Sequence, residues 1–422
     1  MSWVFYLFVL LVLAIIQLAS RRALGPTKSV GDENDYINCG GQPDPYQPTR
    51  FLRVPFMAWV SSKCHRFSSD PEILLRRVTG IASIVTILVS MISAGIIGGD
   101  GAAILIGLIL GFMPGRIILS NHIWPDIWLG LWLSLIYLVL VYPDLPSGLR
   151  ALFLGLLAAL AFMTRFEALL LAPFTGFGMA SSALWEWIFI LSPTMLLFIA
   201  LSIRNAHRYK IPWPDTTWMF NLMITAGETH QQTASKVLVD REVYKVVTVW
   251  KKLSDSDRFV ASVASLRRLC VRPTRTISGM FLRLWASIGP DGFVLDRLLP
   301  PRGTAYPEIS RQLNRKLNVA LVLAFPIFIS ATILALLVAG QSVAVSIWPT
   351  IAFAVTSVFH NRTRYRQAWL PGAALLLVAA FCTQDFWTAL VSTGSILKWV
   401  VCVGLAIALI RFRVRPDIMR TL

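Results

Sequence analysis

Three clusters of ionisable residues interrupt this very apolar chain, and they are where chemistry can occur. Asp32, Glu33 and Asp35 bring three carboxylates within four residues, followed by Tyr36. Close like charges raise the pKa of one member, which equips a carboxylate to act as a general base. A solvated loop, or a helix first turn that favours acids, would use the same residues without chemistry. His122 and Asp126 lie farther on, at the start of an apolar run. They read as helix-capping residues, as groups that position an acceptor, or as part of a divalent metal site, although two ligands are too few to define one. His360, Arg362, Arg364 and Arg366 form the third cluster, beside Tyr365. Guanidinium forks bind phosphate oxygens in pairs, so this stretch suits a phosphate clamp. As an interfacial membrane anchor it would need no substrate. Arg116 and Arg165 occur at or within apolar runs, where charge is costly and commonly functional, and Glu167 is a ready partner for Arg165.

The elements that must hold these groups follow from composition. The chain is 56% hydrophobic and 14% charged, with mean hydropathy +0.65, more apolar than a soluble domain of 422 residues requires. Apolar runs recur at 3–19, 79–98, 102–119, 127–142, 150–182, 184–203, 318–340, 343–359, 367–385 and 396–412. Each approaches or exceeds the ~20 residues that cross a bilayer, and in lipid such runs must be helical to satisfy their own backbone. The expected fold is all-α: a polytopic helical membrane protein of about 10–11 transmembrane helices.

Parity then orders the chain. Gly98-Gly99-Asp100-Gly101 closes a helical hairpin. The run 150–182 is too long for one crossing and is broken by Thr164, Arg165, Glu167 and Pro173, so two short helices are expected. Segments 21–78, 120–126, 204–317 and 360–366 then share one face. A single crossing by 150–182 would move the last two to the other face. The organisation expected is a first transmembrane helix over 1–20, an external loop with the acidic motif over 21–78, and a bundle over 79–203. An external, mostly helical segment over 204–317 and a C-terminal bundle over 318–422 follow. No basic residue precedes Trp3, so the first run reads as a retained helix rather than a cleaved signal. The basic tail Arg411, Arg413, Arg415 favours a cytoplasmic C-terminus, at odds with eleven crossings.

The net charge of +17 is concentrated in the extramembrane pieces, with nine Lys/Arg against six Asp/Glu over 21–78 and nineteen against nine over 204–317. Such pieces attract anionic membrane lipids or an acidic substrate, and no nucleic-acid motif accompanies them. Ser254–Leu269 has the pattern of a surface-lying amphipathic helix. Five cysteines are too few for a disulfide scaffold, although a Cys39–Cys64 pair is conceivable on an oxidising side.

Asp32-Glu33-Asn34-Asp35-Tyr36, placed after one transmembrane helix, resembles the acid-acid-x-x-Tyr motif in the first external loop of the GT-C superfamily. These are polyprenyl-phosphate-sugar glycosyltransferases, among them protein O-mannosyltransferases and lipid A aminoarabinose transferases. Pro45 to Pro55, with Arg50 and Arg53, is similar to the later part of that loop. The stretch 121–135 with Asp126 is similar to the second acidic segment, and Thr164-Arg165-Phe166-Glu167 to a Leu-Thr-Arg-Pro-Glu stretch, with Phe166 in place of proline. The segment 202–205 with 212–227, and Thr363 to Pro371, resemble later motifs, the last with two extra residues before its proline.

The resemblance implies a GT-C-like fold and an enzyme. It would transfer a sugar from a polyprenyl-phosphate donor to a glycan, lipid or protein acceptor. Inverting transfer needs a carboxylate to take the acceptor proton, and the resemblance implies Asp32 as that base, Asp35 as its helper and Asp126 as the second acidic site. It implies substrate-binding roles for Glu33, Tyr36, Arg50, Arg53, His122, Arg165, His360, Arg362, Arg364 and Arg366. No cofactor is required, although a divalent metal fits the chemistry. The expected location is a bacterial inner membrane, with the site on the periplasmic face. An O-antigen-type polymerase or ligase and a transporter or lipid flippase are the alternatives. The early acidic motif disfavours the first, and charges at helix ends without internal repeats disfavour the second.

Overall fold

A computed structural model describes residues 3–24, 32–48, 51–179, 183–228, 249–250, 252–271, 273–274, 276–277, 370–375, 378, 400 and 404. All regular structure among them is helical. Helix α1 spans Trp3–Leu24, α2 Asp32–Gly40 and α3 Phe56–Phe67. The apolar bundle follows with α4 (Pro71–Gly111), α5 (Pro114–Leu119), α6 (Pro125–Val141) and α7 (Ser147–Thr164). A 3-10 turn, Phe166–Leu170, leads into α8 (Leu171–Gly178), and α9 (Leu184–Tyr209), α10 (Thr217–Glu228) and α11 (Asp255–Val271) complete the described elements.

Helix α4 is two antiparallel legs rather than one rod. Gly99 has φ 74°, a left-handed conformation open to glycine at no steric cost, and it reverses the chain. Met91 on the first leg packs over Gly107 on the second, and Ile87, Met91, Ala94, Ala102, Ala103, Ile106 and Leu110 enter one core. This is the hairpin expected from Gly98–Gly101, with a first leg that starts earlier, at Pro71, capped by Asp70 through the Ile73 amide. The second leg breaks at Phe112-Met113, and α5 resumes it.

The run 150–182 folds as two helical pieces that run out and back along the bundle, α7 and then the 3-10 turn with α8. Helix α7 ends at Arg165, whose extended backbone stops it, and Arg165 reaches Asp126 at the start of α6. At the other end of α7, Trp185 lies over Gly148, and Phe177 packs on Trp187. The chain has therefore returned to the far end before α9 begins. Gly155 allows α7 and α9 to touch, because a Cβ there would collide with the Phe189 carbonyl. Helix α9 then runs back to the end that holds Asp126 and Arg165. The polar segments around 32–54, 120–126, 165–167 and 204–217 consequently gather at one end of the bundle.

Among the described residues, three helices are long and apolar enough to cross a membrane: Pro71–Gly111, Ser147–Thr164 and Leu184–Tyr209. The outward face of α9 carries Leu184, Ile188, Leu196, Ile199 and Ile203, all exposed. That of α1 carries Leu7, Phe8, Leu11, Ile15 and Leu18. Apolar faces of this extent are stable against lipid rather than water, and the chain is an integral membrane protein. The third ionisable cluster, with His360, Arg362, Arg364 and Arg366, and the C-terminal bundle expected around it lie outside the described residues, save for the few positions given above.

Candidate active site at one end of the bundle

Helix α2 carries the acidic motif, and Glu33 ties it to the bundle. Glu33 is completely buried; its Oε1 accepts from His122 Nδ1 at 3.0 Å and from the Ile123 amide at 2.8 Å. Accepting these bonds fixes the His122 tautomer with its proton on Nδ1. Arg76 Nη1 lies 3.8 Å from the same oxygen and donates to the Asn121 carbonyl, while its Nε and Nη2 hold Glu72 at 3.1 and 2.7 Å. Two segments nearly ninety residues apart are thereby locked, and the start of α2, where Asp32 lies, is set against the 120–126 turn. The side chain of Asp32 lies outside the described residues, as does Arg50.

A second tier centres on Arg165. Its Nη1 donates to Asp126 Oδ1 at 2.8 Å, and its Nε and Nη2 donate to the two oxygens of Glu167 at 3.3 and 3.1 Å. Asn221 Nδ2 on α10 donates to Glu167 Oε1 at 3.4 Å. The pairing of Arg165 with Glu167 expected from the sequence is present, and Asp126 joins it. Asp126 lies in the first turn of α6 behind Trp124-Pro125, and its carboxylate reaches Arg165.

The third tier is the 51–54 strand-like stretch. Arg53 donates to the Tyr36 hydroxyl at 2.8 Å and to Asp35 Oδ2 at 3.3 Å, with its guanidinium 4.8 Å from the Tyr36 ring centre. Leu52 and Thr216 exchange backbone and hydroxyl bonds, and Asp215 accepts from the Val54 amide at 3.2 Å and from the Thr217 amide. Burial, then the nearby charge of Glu167, pushes the Asp215 carboxyl up to about 6. Farther out, Asp44 accepts from the Tyr209 hydroxyl and lies near Arg204 and Arg208. Burial works to raise its pKa, but those donors and cations outweigh burial and hold it below the usual carboxylate range. Beneath these tiers Phe56 packs edge-on to Trp128 and Trp132, and Trp132 donates to Thr164.

The structure thus brings Glu33, Asp35, Tyr36, Arg53, His122, Asp126 and Arg165 to one end, adjoined by Asn221 of the 212–227 stretch and by Asp215 and Arg76, which sequence reasoning did not single out. Asp215-Thr216 ahead of Thr217 is an ordinary helix-start signal, which explains why chemistry was not read there. Cys39 and Cys64, considered as a disulfide, are buried free thiols, and the Cys39 thiol donates to the Tyr36 carbonyl. Burial first, and the Asp35 charge, push the Cys39 thiol up to about 11, so it is unreactive at neutral pH. Among the described residues no three His, Cys, Asp or Glu side chains group as metal ligands. Glu33 is committed to His122 and Ile123, and Asp126 Oδ1 to Arg165, so these residues do not fit a ready metal site.

No protein-family model matches the chain, and no curated protein matches it. Among solved structures it is similar to the oligosaccharyltransferase of Archaeoglobus fulgidus in its apo form (TM-score 0.47, 14% identity). That match covers 100% of this chain and 56% of the archaeal one. A complex of the same organism's oligosaccharyltransferase AglB with an inhibitory peptide and a dolichol-phosphate scores 0.46 at 13% identity, covering 98% of this chain and 56% of that one. ArnT from Cupriavidus metallidurans in the apo state scores 0.38 at 17% identity, covering 89% of this chain and 76% of that one. The chain thus spans little more than half the length of the archaeal enzyme.

Proposed function

We propose that this chain is a membrane glycosyltransferase. It moves a sugar from a polyprenyl-phosphate donor to an acceptor hydroxyl at the periplasmic face of a bacterial inner membrane, with inversion at the anomeric carbon. The observation that carries this reading is the convergence of the acidic motif, Asp126 and the Arg165–Glu167 fork at one end of a lipid-facing helical bundle. A lipid donor resides in the bilayer and presents its phosphate at that level, which explains why the enzyme is embedded.

In the reaction the acceptor oxygen forms a bond to the anomeric carbon as the bond from that carbon to the phosphate oxygen breaks. The acceptor proton passes to a carboxylate, and the carrier leaves as polyprenyl phosphate. Asp32 is the proposed base, since the Glu33–His122 bond fixes the helix that bears it. Asp35 and Asp126 are each paired with an arginine, and they serve as orienting acceptors for sugar or acceptor hydroxyls. Charge builds on the leaving phosphate as the bond breaks, and guanidinium groups stabilise it more in the transition state than in the ground state. Arg362, Arg364 and Arg366 are the proposed source of that contact. The test is transfer from a polyprenyl-phosphate sugar by purified protein in nanodiscs. Asp32→Asn should lower turnover ~100- to 10,000-fold while the protein still folds. Full activity of Asp32→Asn would remove Asp32 from the role and leave Asp35 as the next candidate.

A further inference from the structure

One basic residue of the bundle is not absorbed by the site. Arg116 on α5 is completely buried, and its one side-chain bond among the described residues runs from Nη2 to the Ser83 carbonyl at 3.3 Å. Among the described residues its Nε and Nη1 have no partner, and neither does the buried hydroxyl of Ser83. Gln17 on α1 is also buried, with its Nε2 unpartnered. Leu13 packs against Gly111, and α1 and the α4–α5 leg run in the same direction, so one further turn brings Gln17 to the level of α5. Three helices thus hold buried donors unused among the described residues: Arg116 and Ser83 in contact, and Gln17 at the level of α5.

An uncompensated guanidinium in such a place is strongly unfavourable unless an anion completes it. We infer that Arg116, Ser83 and Gln17 form a phosphate-binding site inside the bundle. A phosphate oxyanion fits because it supplies negative charge together with several acceptor oxygens, and donors arriving from three directions need more than one. Ser83 lies seven residues along α4 from Arg76, so the site is about 10 Å deeper than the Glu33–His122 tie at 1.5 Å per helical residue. The outward face of α1 toward that level carries exposed Leu11, Ile15 and Leu18. The phosphate comes from a polyprenyl phosphate that enters past α1 or from free phosphate; assigning it to the lipid rests on the transferase reading, whereas the anion site does not.

The experiment uses the full chain in nanodiscs of zwitterionic lipid, with thermal unfolding followed against polyprenyl phosphate and against inorganic phosphate. Stabilisation of the wild type is expected, by both ligands if any phosphate suffices and by the lipid alone if the chain enters with it. Arg116→Met should raise the midpoint of the ligand-free protein, since a buried charge is replaced by an apolar side chain of similar length, and should abolish the ligand-induced shift. Arg116→Lys keeps the charge without the fork and should weaken binding about tenfold or more, the expected cost of losing a charge-assisted bond. Ser83→Ala should weaken it less. Failure of both phosphates to stabilise the wild type, or unchanged affinity in Arg116→Met, overturns the site. Should the Met variant fail to insert, unchanged affinity in Arg116→Lys overturns it equally. Arg116-dependent phosphate binding in a protein that transfers no sugar would leave the site standing and remove the transferase reading.

Discussion

Arg165 and Arg116 are both buried or nearly so, both at the ends of membrane-embedded helices, and they are treated in opposite ways. Arg165 forks two carboxylates, Asp126 and Glu167, and Glu167 is further held by Asn221. Arg116 has one backbone carbonyl. The first arginine is neutralised by the protein and is therefore rigid and pre-set, able to orient its carboxylates but with little charge left over for a ligand. The second keeps its full charge in a dry region, so it is costly to the folded chain and available to an anion. The difference teaches that charge at membrane depth has two uses: internal cross-bracing of a site, and capture of a charge from outside.

The largest effect should come from breaking the braced side. Arg165→Ala removes the guanidinium that pairs with buried Asp126, and by the usual cost of removing one partner from a buried pair it should destabilise the protein by about 3–5 kcal/mol. Unfolding in detergent measures this, and a loss under about 1 kcal/mol would show that water, not Arg165, satisfies Asp126.

Glu33→Ala comes next. It removes the carboxylate that accepts from the His122 ring and the Ile123 amide, two buried bonds worth about 1–3 kcal/mol each, and should cost roughly 3 kcal/mol. It should also free α2 from the 120–126 turn, so protease cleavage within 25–48 should quicken. Unchanged cleavage would mean that other contacts hold α2.

Asp215 tests the same region through pH. Its folded pKa, about 6, is above the 3.8 of the unfolded chain, so the folded state binds the proton more tightly. This group's contribution is fully present below pH 3.8 and is lost as pH rises through 6, with a total on the order of 3 kcal/mol. Asp215→Asn should flatten that part of the stability–pH curve. A slope between pH 4 and 6 that is the same in both proteins would contradict the assignment.

The smallest effect, and the only one of opposite sign, is expected at Arg116. Without ligand, Arg116→Met should stabilise the protein by about 1–2 kcal/mol, in line with apolar replacements of buried ionic groups. A loss of stability instead would mean that the Ser83 carbonyl bond outweighs desolvation, and the contrast with Arg165 would disappear.

Much of the scaffold was legible before any coordinates. Gly98–Gly101 announced a reversal because glycines tolerate the left-handed turn that Gly99 adopts. The length of 150–182 and its interruption at Thr164–Glu167 announced two helices rather than one, because a run that long with polar residues in its middle does not continue as a single helix. The acidic motif was visible as a cluster of like charges. Its internal division of labour was not: Glu33 and Asp35 are two positions apart in one helix, yet one is sealed against His122 and the other faces Arg53. Asp215 was hidden by its ordinary helix-start context, and its altered acidity comes first from burial and then from the charge of Glu167, almost fifty residues earlier.

The sequence by itself determined that the chain is helical, membrane-embedded and reversed at defined points. Those properties depend on hydrophobic run length and local backbone preference, which are fixed by neighbours in the chain. Only the tertiary structure decided which carboxylate meets which guanidinium. Pairing energy falls steeply with distance and depends on burial, so Arg165 and Arg116, alike in one dimension, became a cross-brace and an unfilled charge once the helices packed.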